Sequence, residues 1–307
     1  MSLLIISQSS KSFFLVIFGE FCIALREGTQ SMATNEKMII DEQYFSYEKF
    51  IWTLLNEARQ HKLPMEIIGS EISQRTGINY PLYRLIIHPE VKETVCIVSG
   101  IHGNEIAGPL CILKIVDAII HDLPEQFRYI IYPMINPSGF DLRQRFDADH
   151  RDLNALYAST LRSKNYFEVQ VFFQDALKYT PFEAVITLHE DSDKEKFYMY
   201  GLGKENLDFY HAICGFARTC IPPWMHGEIE GCVTDEHGLI LSNSRDHAFD
   251  GALYKQGLTK RAYTFETPGR LDCHFRVNMM AQLVVQSMNM LRAMLWMAEL
   301  SGAIHPN

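Results

Sequence analysis

The sequence predicts an α/β fold: a single domain with a central mixed, mostly parallel sheet covered by helices on both faces. Short apolar runs at 83–87, 94–98, 129–135, 184–188 and 262–265 are continuous rather than alternating, as expected of strands buried on both faces. Helical segments at 105–120, 167–178 and 205–219 alternate with them, the order that builds a covered sheet. The 307 residues are 47% hydrophobic and show no linker, repeat or composition break after Tyr44, which suits one large core.

The elements follow in order. Residues 12–25 (SFFLVIFGEFCIAL) resemble the apolar core of a secretion signal, but Glu20 interrupts them and no small-x-small cleavage site follows. The stretch is also shorter than the roughly 20 residues a membrane span needs. The second start, MATNEKMII from Met32, reads as an ordinary N-terminus, so 1–37 is expected to be a leader or non-native extension and 38–307 the working domain. Phe45, Phe50, Ile51, Leu54, Leu55 and Ala58 recur at helical spacing, as do Val277, Met280, Val284, Met288, Leu291, Leu295 and Ala298 near the end. The methionines of that last helix read as gap-filling core residues.

Charge and cysteine usage narrow the function. A net charge of -9 and a pI near 5.7, without a lysine or arginine block, give no footprint for nucleic acid or an anionic membrane, so a small molecule or peptide is the expected partner. Seven cysteines without a C-x-x-C pair indicate neither a disulfide framework nor a cysteine zinc site; they read as reduced, and the compartment as cytoplasmic, or exported if 12–25 acts as a signal. Oligomeric state is not legible.

In sheets of this kind ligands bind beyond the carboxyl ends of the strands. Four apolar runs end in polar residues: 94–101 reaches His102, 129–135 reaches Asn136, 184–188 reaches His189, and 262–265 reaches Glu266. Two histidines and a glutamate reach one sheet edge, and His102 and His189, with Glu105 three residues after His102, then form a two-histidine, one-carboxylate set that suits Zn2+ with a fourth position open to water. A carboxylate is still needed to accept the water's proton and deliver it to the leaving group, and Glu266 fills that role.

These segments resemble a family. His102-Gly-Asn-Glu105 is similar to the HGxE of the zinc carboxypeptidases, a group that includes aspartoacylase and succinylglutamate desuccinylase. Asn136-Pro-Ser-Gly139 is similar to their NPDG, Asp152-Leu-Asn154 to their DLNR, Leu188-His189 to the segment of the third zinc ligand, and Thr264-Phe-Glu-Thr-Pro268 to the TxETP of the general base. The resemblance spans roughly 80–270 in the family's order. It implies a zinc-dependent amide hydrolase on a carboxypeptidase-like fold, cleaving a peptide or N-acyl amide bond. It further implies that Arg145 polarises the scissile carbonyl and stabilises the oxyanion, and that Asn154 orients substrate. The alternatives are a deacylase of small N-acyl amino acids and a zinc- or ligand-binding relative without turnover. The 84 residues from Glu105 to His189 (189 minus 105) lie nearer the aspartoacylase type.

One departure stands out. The DLNR arginine, which grips a substrate carboxylate, is replaced by Ala155, so a carboxypeptidase would have to recruit Arg143, Arg151 or another residue. Tyr254 is a candidate, by position alone, for the mobile tyrosine of pancreatic-type members. The acidic run 190–193 after His189 reads either as a solvated loop or as support for the zinc site. His211, His226, His237, His247 and His274 fall on no motif and are assigned to surface or core packing.

Overall fold

Ser46 caps the first helix, its hydroxyl accepting from the Lys49 amide, and α1 (Tyr47–Gln60) buries Phe50, Ile51, Leu54 and Ala58 along one stripe, as the spacing predicts. The computed structural model describes residues 46–121, 123, 125–156, 167–224, 227–229, 231–242 and 248–303. The expected leader at 1–37 lies outside the described residues, as do Phe45, His226 and His247.

The strands are β1 (Met65–Ile72), β2 (Asn79–Ile87), β3 (Thr94–Ser99), β4 (Arg128–Tyr132), β5 (Ala184–Asp191), β6 (Tyr198–Leu202), β7 (Glu228–Ile229), β8 (Cys232–Val233), β9 (Leu239–Ser242) and β10 (Ala262–Pro268). Eight of them form one sheet in the order β1-β2-β4-β3-β5-β10-β6-β9, and β7 and β8 form a separate ribbon. Its centre, β4-β3-β5-β10, is parallel, and β9 runs parallel to β6; β1 with β2, β2 with β4, and β6 with β10 are antiparallel. The sheet is thus mixed, with a parallel centre whose strands are almost wholly buried.

Among the described residues, six helices follow α1: α2 (Ala107–His121), α3 (Pro137–Leu142), α4 (Phe167–Leu177), α5 (Leu207–Cys220), α6 (Phe249–Lys255) and α7 (Cys273–Ala303). Phe172 and Phe173 of α4 with Phe249 and Leu253 of α6 pack against Cys96, Val98, Ile130, Tyr132 and Val185. Helices α2 and α5 pack against α7, and α2 and α7 lie against β5 and β10, so helices cover both faces. Met280 and Met288 are fully buried in α7, filling the core as expected.

Several elements differ from the sequence reading. The strand expected over 129–135 stops at Tyr132, because Pro133 has no amide to give and the amides of Ile135 and Asn136 turn to Ser99 O (3.2 Å) and Gly100 O (2.8 Å). Strands β1, β6 and β9 escaped notice; β1 carries Gly69 and Ser70 at its middle and two glutamates among its apolar residues, and it lies at the sheet edge, largely accessible. The parallel centre has one functional consequence: β3, β4, β5 and β10 all point the same way and deliver their carboxyl ends to a single edge.

Candidate metal centre

The loop leaving β3 is held by two close approaches. The chain turns at Gly100 (φ 65°). Gly103 then passes so near the backbone of Gly139 and Phe140 that any side chain would collide with it. Asn136 staples the arrangement: its carbonyl oxygen accepts from the Gly139 amide (2.9 Å), while its amide donates to Ile101 O (3.1 Å) and Arg145 O (3.3 Å). The Gly103 amide also donates to Arg145 O at 3.3 Å. The N-P-S-G segment therefore positions both the H-G-N-E loop and Arg145.

That loop delivers His102 and Glu105 to the end of β5, where His189 stands. His102 Nδ1 lies 2.5 Å from Glu105 Oε1, His189 Nδ1 lies 2.7 Å from Glu105 Oε2, and the two Nδ1 atoms are 3.2 Å apart. All three residues are buried, and their ligand atoms fall within 4.8 Å of one another. Among the described residues this is the one cluster of three or more metal-ligating side chains so gathered. Two imidazole nitrogens and a carboxylate converging from a strand end and its neighbouring loop fit a zinc-type ion with an open position.

The surroundings reinforce the convergence. His102 Nε2 is buried and faces Asp152 Oδ1 at 3.5 Å, the carboxylate-behind-histidine arrangement that orients a ligand ring. Asp152 Oδ2 is 3.6 Å from Arg145 Nε, and Arg145 NH1 is 3.7 Å from Glu105 Oε1, so Arg145 sits at the rim, 46% exposed. Asn154 follows on a short 3-10 turn (Leu153–Leu156) shared with Ala155; its amide donates to Asp152 Oδ1 at 3.0 Å, and its side-chain Oδ1 is buried without a partner. Burial disfavours a charged His102, but the charge of Glu105 and hydrogen bonds to Asp152 and Glu105 outweigh it and hold the imidazole up at about 9. Burial likewise disfavours a charged Glu105, yet the two histidines hold it well below the usual carboxylate range. The His102 contact brings Asp152 down to about 2.

Glu266 is the register partner of His189 on β10, one strand away on the same face, and it is buried. The sheet thus brings four of the expected residues (His102, Glu105, His189 and Glu266) to one edge, with Arg145 and Asn154 on the adjoining loop.

Three expectations change. Tyr254 hydrogen-bonds Glu205, just beyond Leu202; Leu202 pairs with Ala262 at the far end of β10 from Glu266, so Tyr254 belongs to the opposite edge of the sheet. The run after His189 is not a solvated loop at its start. Glu190 and Asp191 continue β5, and Glu190 is buried, accepting from the Ala107 amide (2.7 Å), pairing with Arg276 and donating its own amide to Glu105 Oε2 (3.2 Å). Burial, only partly offset by Arg276 and the Ala107 amide, raises its carboxyl to about 7. Of the proposed replacement anchors, Arg151 is committed to buried Asp147 (2.5 Å), and Arg143 stacks 4.5 Å over Phe140. Asp152 carried a motif signal but no assigned role, whereas Arg276 carried no signal: its pairing with Glu190 spans 86 residues.

Residues 91–227 match the family model of the succinylglutamate desuccinylase/aspartoacylase catalytic domain, a span that includes the three ligand candidates, Asn136, Arg145 and Asp152 but ends before Glu266. No curated protein matches the sequence. Among solved structures, a candidate metallopeptidase from Shewanella amazonensis SB2B superposes with a TM-score of 0.67 at 23% identity, covering 80% of this chain and 92% of its own. A metallo-carboxypeptidase from Burkholderia cenocepacia gives 0.63 at 14% identity over 81% of this chain and 70% of its own. Bovine thrombin-activatable fibrinolysis inhibitor gives 0.59 at 16% identity, over 84% of this chain and 99% of its own. At these identities the structures establish the fold, and no helix among the described residues is long and apolar enough to cross a membrane. Residues 91–227 thus resemble the catalytic domain of the succinylglutamate desuccinylase and aspartoacylase family, carried on a carboxypeptidase-like fold.

Proposed function

We propose that this protein is a zinc-dependent hydrolase of a peptide or N-acyl amide bond, with 38–307 as its catalytic domain. His102, Glu105 and His189 are the zinc ligands and Glu266 is the general base. The observation that carries this reading is the convergence of two histidine Nδ1 atoms on both oxygens of one buried carboxylate, with a second buried carboxylate in register beside His189. A zinc ion bound there supplies an acidified water and polarises a substrate carbonyl.

The chain's own residues do the rest. Glu266 accepts a proton at its carboxylate and passes it to the leaving nitrogen, which needs an amine proton to depart. Arg145 is exposed enough to meet substrate, and its guanidinium offers hydrogen bonds to the oxygen on which negative charge develops. Asp152 fixes the His102 ring from behind and holds the Arg145 head at the rim. Asn154, whose buried side-chain oxygen lacks a partner, orients the substrate's polar end.

A deacylase of small N-acyl amino acids is the second reading, favoured by the family match over 91–227 and by the absence of an arginine at Ala155. A screen of the zinc-loaded protein against C-terminal peptides and N-acyl amino acids in parallel separates the two. Metal binding with no turnover on either set would instead favour a binding relative.

A further inference from the structure

Glu266 has two register partners, His189 on β5 and Tyr198 on β6. Partners in adjacent strands share a face, so the three side chains stand in one row across the sheet. Asp191 stands on that face too, two residues past His189 and opposite Pro268. The Tyr198 hydroxyl donates to Asp191 Oδ2 at 2.8 Å although β10 lies between their strands.

Two strand spacings amount to about 9.6 Å, a gap closed only if the phenol lies across β10 between Glu266 and Pro268. The ring is braced edge-on by Tyr200, with centroids 5.7 Å apart, and both tyrosines pack with Ile229 and Ile240. Tyr198 and Glu266 are both buried. Burial, then the negative charges of Glu266 and Asp191, push the phenol far above its ordinary value, so the hydroxyl remains a donor.

We propose that Tyr198, held by Asp191, is a positioning residue for Glu266: the phenol closes the solvent side of the carboxylate and leaves it directed toward His189. This inference rests on the hydrolase reading, in which Glu266 is the general base. It differs from a packing role because the hydroxyl, and not the ring alone, sets the position. Ring and hydroxyl are separated by Tyr198→Phe, and the acceptor by Asp191→Asn against Asp191→Ala.

In zinc-loaded protein, Tyr198→Phe should retain metal and melting temperature while kcat falls about 10–100-fold, the cost typical of lost support behind a metal site, with KM nearly unchanged. Asp191→Ala should fall similarly, and Asp191→Asn, which keeps an acceptor oxygen, should fall less. A second readout does not depend on turnover. In cobalt-loaded protein, Glu266→Gln should alter the visible spectrum, Tyr198→Phe should alter it in the same direction, and the double variant should match Glu266→Gln alone. A Tyr198→Phe protein with wild-type kcat and spectrum, additive spectral changes, or a spectrum indifferent to Glu266→Gln would each overturn the inference. Wild-type protein that hydrolyses nothing would defeat the hydrolase reading instead, and the spectra would still decide the role of Tyr198.

Discussion

His189 and Glu266 are register partners on the parallel strands β5 and β10, so a buried imidazole and a buried carboxylate leave neighbouring strands on the same face. Strands in a sheet lie about 4.8 Å apart, which puts the carboxylate beside whatever His189 coordinates without a long loop to place it. Glu266→Gln keeps the shape and removes the base. It should retain zinc and lose about 10²–10⁴-fold in kcat, measured on whichever substrate the screen returns. An unchanged rate would reduce Glu266 to a packing residue.

Metal content should depend on each member of the His102, Glu105 and His189 cluster, since zinc sites of this kind use three protein ligands and can spare none. Elemental analysis should give about one equivalent of zinc in the native protein and far less in His189→Ala. Full occupancy in that variant would take His189 out of the site.

Proton linkage follows from the ionisation of His102. Its folded value of about 9 lies above the ordinary 6.5, so without metal the ring is largely protonated at neutral pH, and that proton's stabilising effect is lost as pH rises through about 9. Zinc requires the neutral ring, so binding at neutral pH should release about one proton from His102. Zinc affinity should weaken as pH falls below about 9. Calorimetric titration in buffers of different ionisation enthalpy reads the proton directly; heats independent of buffer would contradict it.

Gly103 gives a steric prediction. A methyl group there collides with the backbone of Gly139 and Phe140, atoms that cannot swing aside as a side-chain tip would. Gly103→Ala should therefore displace the His102–Glu105 loop, destabilising the fold by about 1–3 kcal/mol and lowering zinc affinity. A thermal melt and a zinc titration check both; native values in each would mean that the loop tolerates the shift.

Arg151 and substrate preference are separable. Because Arg151 is tied to Asp147, Arg151→Ala should take the guanidinium partner from the Oδ2 of that buried carboxylate at a cost of about 1–3 kcal/mol and leave any preference for a free substrate carboxylate unchanged. Comparing free-acid and amidated forms of one substrate tests this. A preference that vanishes with Arg151→Ala would restore it as the anchor.

The parallel centre and the cluster were legible because their signals are local. A continuous apolar run followed at once by His102, His189 or Glu266 states both burial and edge position, and H-G-N-E contains its own spacing. Strand β6 was not legible: Tyr198–Leu202 is short and mixes aromatic, Met and Gly, and its strand identity comes from pairing with β10 sixty-odd residues on. For the same reason Tyr254 was misplaced and Tyr198 overlooked, because a tyrosine's neighbours depend on which strands adjoin. Glu190 read as part of a charge run, since nothing near it in the chain announces Arg276.

The proposed hydrolysis depends on a metal held by the cluster beside Glu266. The direct measurement is hydrolysis of N-acyl amino acids and C-terminal peptides by one preparation as isolated, after chelation and after addition of stoichiometric zinc, with Glu266→Gln alongside. The expected result is activity that disappears with the metal, returns with zinc and never appears in Glu266→Gln although that variant binds zinc equally well. Hydrolysis that persists after complete metal removal, or that Glu266→Gln sustains at the native rate, would contradict it.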